Sequence, residues 1–187
     1  MRDRHLGLFG GTFDPPHLGH VAALKAASAS GRFDRIVVTV AGHPYGKGPH
    51  VLSADARLAM AHAAFDDIAL VEVSDMEIRR DGPSYTIDTV RELLVNSRAV
   101  DLIVGADLAS QLNGWHEADE LRQLVEVGVV PRPGSSIEPP VGWRHYEIDM
   151  QPVDLSSTFI RDMSLSDTDL KSFLPERVIP LYVKARG

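Results

Sequence analysis

His17 and His20 stand three residues apart behind the turn-forming run Gly10-Gly11-Thr12-Phe13-Asp14-Pro15-Pro16 and ahead of an Ala-rich stretch, Val21 to Ser30, with no helix breaker. The preceding residues, Arg4 to Phe9, read as a short apolar strand. Two glycines allow a sharp exit from that strand and a close backbone approach to a ligand. Thr12 and Asp14 add side-chain oxygens to the loop, and Pro16 suits the first turn of the helix. A helix start directs unpaired N–H groups at whatever lies above it, which favours an anion. Two imidazoles on one helical face beside that end suit a phosphate oxygen that gains charge in a transition state.

A second group repeats this chemistry far along the chain. Ser156, Ser157 and Thr158 are hydroxyls at a helix start, and Arg161 lies one turn further on. Hydroxyl capping leaves N–H groups for an anion, and an Arg can return a two-pronged contact to phosphate. Taken alone, the run is equally a plain N-cap with a solvated Arg. Neither G-x-x-x-x-G-K-[ST] nor G-x-G-x-x-G occurs at the first loop, which argues against a P-loop kinase and a dinucleotide dehydrogenase.

Between these groups, strands alternate with helices. Strands are expected at Asp34–Val40, Ile68–Val73, Asp101–Val104, Val125–Val130 and Trp143–Ile148. Helices are expected from Ser53 to about Phe65, from Tyr85 to about Asn96 with Ser84 as cap, over Ala106–Leu112 and Glu117–Leu124, from Ser156 to about Met163, and over Leu170–Ala185 with a kink or boundary at Pro180. The stretch Asp75–Pro83 reads as turn. The alternation predicts an α/β fold: a Rossmann-like, doubly wound parallel sheet with helices on both faces and a small C-terminal helical segment, about residues 156–187. At 187 residues without an internal repeat or linker, one domain is expected.

Composition narrows the class. The formal net charge of −7 is unfavourable for sequence-independent nucleic-acid binding, so a phosphate site must be built locally. No apolar run is long enough for a membrane span, and the start does not read as a signal peptide, which points to the cytoplasm. The absence of Cys excludes disulfides, thiolate metal sites and a Cys nucleophile. No His pair has metal-ligand spacing, so no protein-built metal site is expected. Self-association into a homo-oligomer is left open.

The run Gly-Gly-Thr-Phe-Asp-Pro-Pro-His-Leu-Gly-His resembles the signature of the nucleotidyltransferase superfamily with the H-x-G-H motif, and Ser156-Ser157-Thr158-Phe159-Ile160-Arg161 resembles its Ser-Ser-Thr-x-x-Arg motif. Gly42-His43-Pro44-Tyr45-Gly46-Lys47-Gly48, Pro83-Ser84-Tyr85-Thr86, Gly105-Ala106-Asp107 and Trp115 follow in order. The whole set resembles the bacterial nicotinate-nucleotide adenylyltransferases. The resemblance implies adenylyl transfer from ATP to nicotinate mononucleotide in NAD biosynthesis, with Mg²⁺ accompanying ATP. It implies that His17, His20 and Arg161 are catalytic, and that Gly10, Gly11, Thr12, Phe13, Gly105, Asp107, Ser156, Ser157 and Thr158 join them around ATP. It places Lys47, Ser84, Tyr85, Thr86 and Trp115 at the acceptor. Arg132, after the fifth strand, borders the adenine side in this reading. Alternatives are the same chemistry on nicotinamide mononucleotide or phosphopantetheine, or a non-catalytic nucleotide-binding regulator on the same fold. Two departures bear on the acceptor: the usual Pro-Pro-His-Lys of the second loop is absent, and the segment between Gly134 and Ser156 is short for the family.

Overall fold

The computed structural model describes residues 4–44, 52–163 and 167–187. Six strands form one all-parallel sheet in the order β3-β2-β1-β4-β5-β6. They are β1 (His5–Gly11), β2 (Arg35–Val40), β3 (Val71–Ser74), β4 (Ala99–Gly105), β5 (Val125–Val130) and β6 (His145–Glu147). Strand order reverses between β1 and β4, and open α/β sheets bind ligands beyond the strand ends at that reversal.

Side chains alternate across each strand, and helices cover both faces, so neighbouring β-residues enter different cores. Leu102 and Val104 join Leu6, Leu8, Val127 and Val129 in one core, beneath α4 (Thr86–Leu94) and α6 (Ala118–Leu124). Ile103 joins Ile36, Val38 and Val40 in the other, beneath α1 (Leu18–Ala29) and α2 (Ala54–Phe65). A third cluster packs Ile160, Leu170, Leu174, Val178, Ile179 and Tyr182 against Met60 of α2. It docks α7 (Ser157–Asp162), α8 (Asp167–Leu170) and α9 (Ile179–Arg186), the C-terminal helical segment. The short α3 (Met76–Arg79) and α5 (Ala106–Ala109) complete the set of α-helices in the described residues.

Several local expectations change, among them the helix expected over Ala106–Leu112, which ends at Ala109 before a separate 3-10 turn at Leu112–Gly114. Pro16 lies outside α1, whose N-cap is His17. The third strand begins at Val71, because Leu70 takes a positive φ of 63° and ends a turn there. Residues 75–83 are not turn throughout, since α3 occupies part of them. The N-cap of α4 is Tyr85, and Ser84 turns its hydroxyl to another loop. Instead of one helix over Leu170–Ala185, α8 ends at Leu170 and α9 starts at Ile179, with Pro180 in its first turn. Proline interrupts a helix interior but costs nothing where the N–H has no intrahelical partner. Among the described residues, no helix is long and apolar enough to cross a membrane.

Candidate active site

The loop after β1 is wound tightly around one aromatic ring. Phe13 is buried at a positive φ of 52° and packs against Phe9, Phe65 and His20. A Cβ on Gly11 would come within 2.7 Å of that ring, so Gly11 is what lets the loop close. His17 follows in an extended conformation and caps α1. Its backbone N–H donates to Nδ1 of His20 at 3.1 Å, and the two imidazoles stack 3.7 Å apart.

Burial is the main cause that pushes both histidines below the usual range: His17 to about 3, and His20 well below its ordinary value. The Arg132 charge adds to the effect at both, and His17 adds to it at His20. Both rings are therefore neutral near pH 7. Because Nδ1 of His20 accepts a hydrogen bond, its single proton sits on Nε2, which makes that nitrogen a donor. An unfolded His takes up a proton below pH 6.5, whereas buried His17 stays neutral down to about 3. Stability contributed by His17 is thus complete above pH 6.5 and is lost on acidification. The unfolding free energy should fall between pH 7 and pH 5 by up to about 1.4 kcal/mol per pH unit for each such histidine, and the thermal midpoint should fall with it. In His17→Asn, which keeps a good N-cap residue, that acid slope should shrink; equal slopes in scanning calorimetry would contradict the assignment.

The C-terminal segment completes the loop's surroundings. Ser157 Oγ donates to the carbonyl of Pro15 at 2.9 Å. Arg161 Nη1 donates to the carbonyl of Asp14 at 2.7 Å and lies 3.9 Å from its carboxylate, while Nη2 donates to Thr158 Oγ1. Ser156 caps α7 by accepting from the Phe159 N–H. Arg132 donates to the carbonyls of Val153 and Leu155, which holds the approach to α7.

These groups surround a cleft of about 400 Å³ at the sheet's reversal point. Gly10, Gly11, Thr12, Phe13, His17, His20, Gly105, Asp107, Ser156, Ser157, Thr158 and Arg161 all line it, as do Ser84, Thr86 and Trp115. Among the described residues, six buried side-chain polar atoms lack a hydrogen-bond partner. Five belong to cleft residues: both carboxylate oxygens of Asp14, His17 Nδ1, Thr39 Oγ1 and Arg132 Nε. Buried polar atoms normally find partners, so their concentration here marks groups held in readiness for a ligand.

Tyr85 lies just beyond, in a recess of about 610 Å³ that also has Ser84, Thr86, Gln111, Gly114, Trp115 and His116 as walls. Ser84, Thr86 and Trp115 line both spaces. The Tyr85 ring stacks on His116 at 4.0 Å. Ser84 Oγ accepts from the Gly42 and His43 N–H groups. Lys47 lies outside the described residues.

Three side chains at this site escaped the sequence reading. His116 is exposed and forms one face of the aromatic stack. Glu77 is buried in the cleft wall and accepts from Thr89 Oγ1 at 2.8 Å. Arg57 is buried beneath both loops. No local signal marks Glu77 or Arg57, because their partners lie on other elements.

The Cytidylyltransferase-like family matches residues 8–163. A probable nicotinate-nucleotide adenylyltransferase of Oceanobacillus iheyensis is 35% identical over 185 residues, covering 97% of this chain and 94% of that one. Another, from Exiguobacterium sibiricum, is 37% identical over 175 residues, covering 92% and 93%. The chain belongs to the nicotinate-nucleotide adenylyltransferase family. The fold agrees with that membership. The nicotinic acid mononucleotide adenylyltransferase of Plasmodium falciparum, solved in complex with NaAD, superposes with a TM-score of 0.79 at 19% identity, covering 97% of this chain and 95% of that one. Its complex with APC gives a TM-score of 0.78 at 18% identity, covering 98% and 96%.

Proposed function

We propose that the protein transfers the adenylyl group of ATP to nicotinate mononucleotide, yielding nicotinate adenine dinucleotide and pyrophosphate in NAD biosynthesis. The observation that carries this reading is a pair of adjoining, chemically distinct spaces that share Ser84, Thr86 and Trp115 as walls. Arg132, Arg161, two neutral histidines and the hydroxyls of α7 surround one, and an aromatic recess bordered by Ser84 and Thr86 forms the other.

An oxygen of the acceptor's 5′-phosphate attacks the α-phosphorus of ATP. The new P–O bond forms as the bond to the bridging oxygen breaks, and pyrophosphate departs with that electron pair. No protein nucleophile is needed; positioning and charge stabilisation supply the catalysis. Nε2–H of His20 and the His17 ring offer neutral donors to oxygens that become more negative, so no proton has to move. Arg161 supplies a fixed fork of positive charge for the leaving pyrophosphate. Trp115 and Tyr85 offer ring faces to the pyridine ring.

Among the described residues, no group of three or more His, Asp or Glu could hold a metal ion. The donor set therefore fits an Mg²⁺ ion carried in on the triphosphate, since the three carboxylates of the cleft wall, Asp14, Glu77 and Asp107, form no such group. Bound in this way, Mg²⁺ would neutralise charge on the transferring and leaving phosphates.

The test is pyrophosphate release from Mg-ATP with nicotinate mononucleotide, nicotinamide mononucleotide or phosphopantetheine as acceptor. Release with nicotinate mononucleotide should exceed the others. A polar site that recognises a carboxylate loses strongly when the analogue lacks it, because its own donors are left unpaired. Equal release with nicotinamide mononucleotide would overturn the acceptor assignment and leave the phosphate end intact.

A further inference from the structure

Arg57, in the first turn of α2, is only 1% exposed, and its guanidinium is spent almost entirely on backbone carbonyls. Nε donates to Leu52 at 2.9 Å, Nη1 to Thr12 at 3.0 Å and Ala41 at 2.6 Å, and Nη2 to Gly42 at 3.3 Å. Thr12 belongs to the loop after β1, at the phosphate end of the cleft. Ala41 and Gly42 belong to the loop after β2; Ala41 lines the same cleft, and Gly42 reaches the acceptor recess through Ser84. Burial opposes the Arg57 charge, and the carboxylate that favours it is Asp14 of the phosphate loop.

The second loop is fixed from its other side too. The N–H groups of Gly42 and His43 donate to Ser84 Oγ, which lines both the cleft and the aromatic recess. Gly42 packs so closely on α3 that a Cβ there would lie 2.6 Å from the Glu77 carbonyl oxygen and 3.0 Å from Ile78 Cα. One line of hydrogen bonds thus runs from the Thr12 carbonyl through Arg57 and the Ala41–His43 backbone to Ser84. A planar guanidinium with nearly all its donors engaged transmits a shift of one carbonyl to the others as a rigid plate.

We propose that Arg57 is a positioning residue that couples the two substrate subsites: a triphosphate that engages the β1–α1 loop also sets the β2 loop and, through it, Ser84 in the wall of the acceptor recess. The proposal rests on the adenylyl-transfer reading above. It explains why a large cation is buried where an apolar side chain would fill the space at lower desolvation cost.

The experiment is calorimetric titration of nicotinate mononucleotide into wild type, Arg57→Lys, Arg57→Met and Ser84→Ala. Each is measured with and without a non-hydrolysable α,β-methylene analogue of ATP. In wild type the analogue should tighten the acceptor by at least about fivefold, the lower end of ordinary site–site coupling. That ratio should fall to near one in Arg57→Met and to an intermediate value in Arg57→Lys. A purely structural role would lower the melting temperature and weaken each ligand separately without changing the ratio. Ser84→Ala cuts the same line outside α2, so it carries the test if Arg57→Met does not fold. An unchanged ratio in the variants that fold, or no coupling in wild type, overturns the proposal. If wild type instead releases pyrophosphate with a different acceptor, the acceptor reading fails, and the same titration with that acceptor decides the coupling.

Discussion

Replacing His20 by alanine is expected to lower the turnover number by about 10²- to 10³-fold, the usual loss when one aimed donor is removed from a developing oxyanion. The substitution removes the Nε2 donor, and the geometry says what else it removes. His20 Nδ1 accepts the N–H of the residue that caps α1, and the ring packs edge-on against Phe13 at 5.1 Å. Loss of such a cap partner costs about 1 kcal/mol, a minor part of a domain's stability. Turnover should therefore collapse in protein that melts within a few degrees of wild type. Single-turnover kinetics and thermal denaturation on one preparation separate the two effects. A folded His20→Ala enzyme within tenfold of wild-type turnover would remove His20 from the mechanism.

Arg161→Met should cost on the order of 10³-fold in kcat/KM for ATP, as expected when a charge that stabilises phosphoryl transfer is lost. Lysine should recover only part of this, since a point charge cannot reproduce the fork that reaches the Asp14 carbonyl and Thr158 Oγ1 together. The side chain also has a structural burden. The Asp14 carboxylate is buried, has no hydrogen-bond partner, and lies 3.9 Å from Arg161. Deleting the cation should reduce stability by about 1–3 kcal/mol. Adding Asp14→Asn to Arg161→Met should return some of that stability without returning activity. Chemical denaturation of the two single variants and the double variant measures the coupling. Recovery of activity in the double variant would mean that Arg161 acts through Asp14 and not on ATP.

The ends of the site were legible because their meaning is local. Gly10 to His20 and Ser156 to Arg161 each contain their own turn, cap and charge within a dozen residues. The alternation of β-branched runs with Ala- and Leu-rich stretches carried the parallel sheet in the same way, since a strand covered on both faces reads as a continuous apolar run. What escaped is long-range. Arg57 looks like an ordinary first-turn cation in sequence, and only the fold brings Thr12, Ala41 and Gly42 to its tip. Ser84 has the composition of a helix cap, but Gly42 and His43 offer it two N–H donors from another loop. Pro180 was ambiguous because one residue type both ends helices and begins them, and the choice depended on how residues 170–182 pack against Met60.

The docking of α7 and its approach against the first loop has a consequence for biogenesis. The carbonyls of Asp14 and Pro15 receive donors from Arg161 and Ser157, and the Leu18 N–H donates to the carbonyl of Phe173. The earliest-translated part of the nucleotide site is therefore finished by residues that leave the ribosome more than 140 positions later. A nascent chain can pair β1, β2 and β4 well before it has a second jaw for a triphosphate. Copies truncated before α7 would therefore lack Ser157 and Arg161, and with them one wall of the cleft.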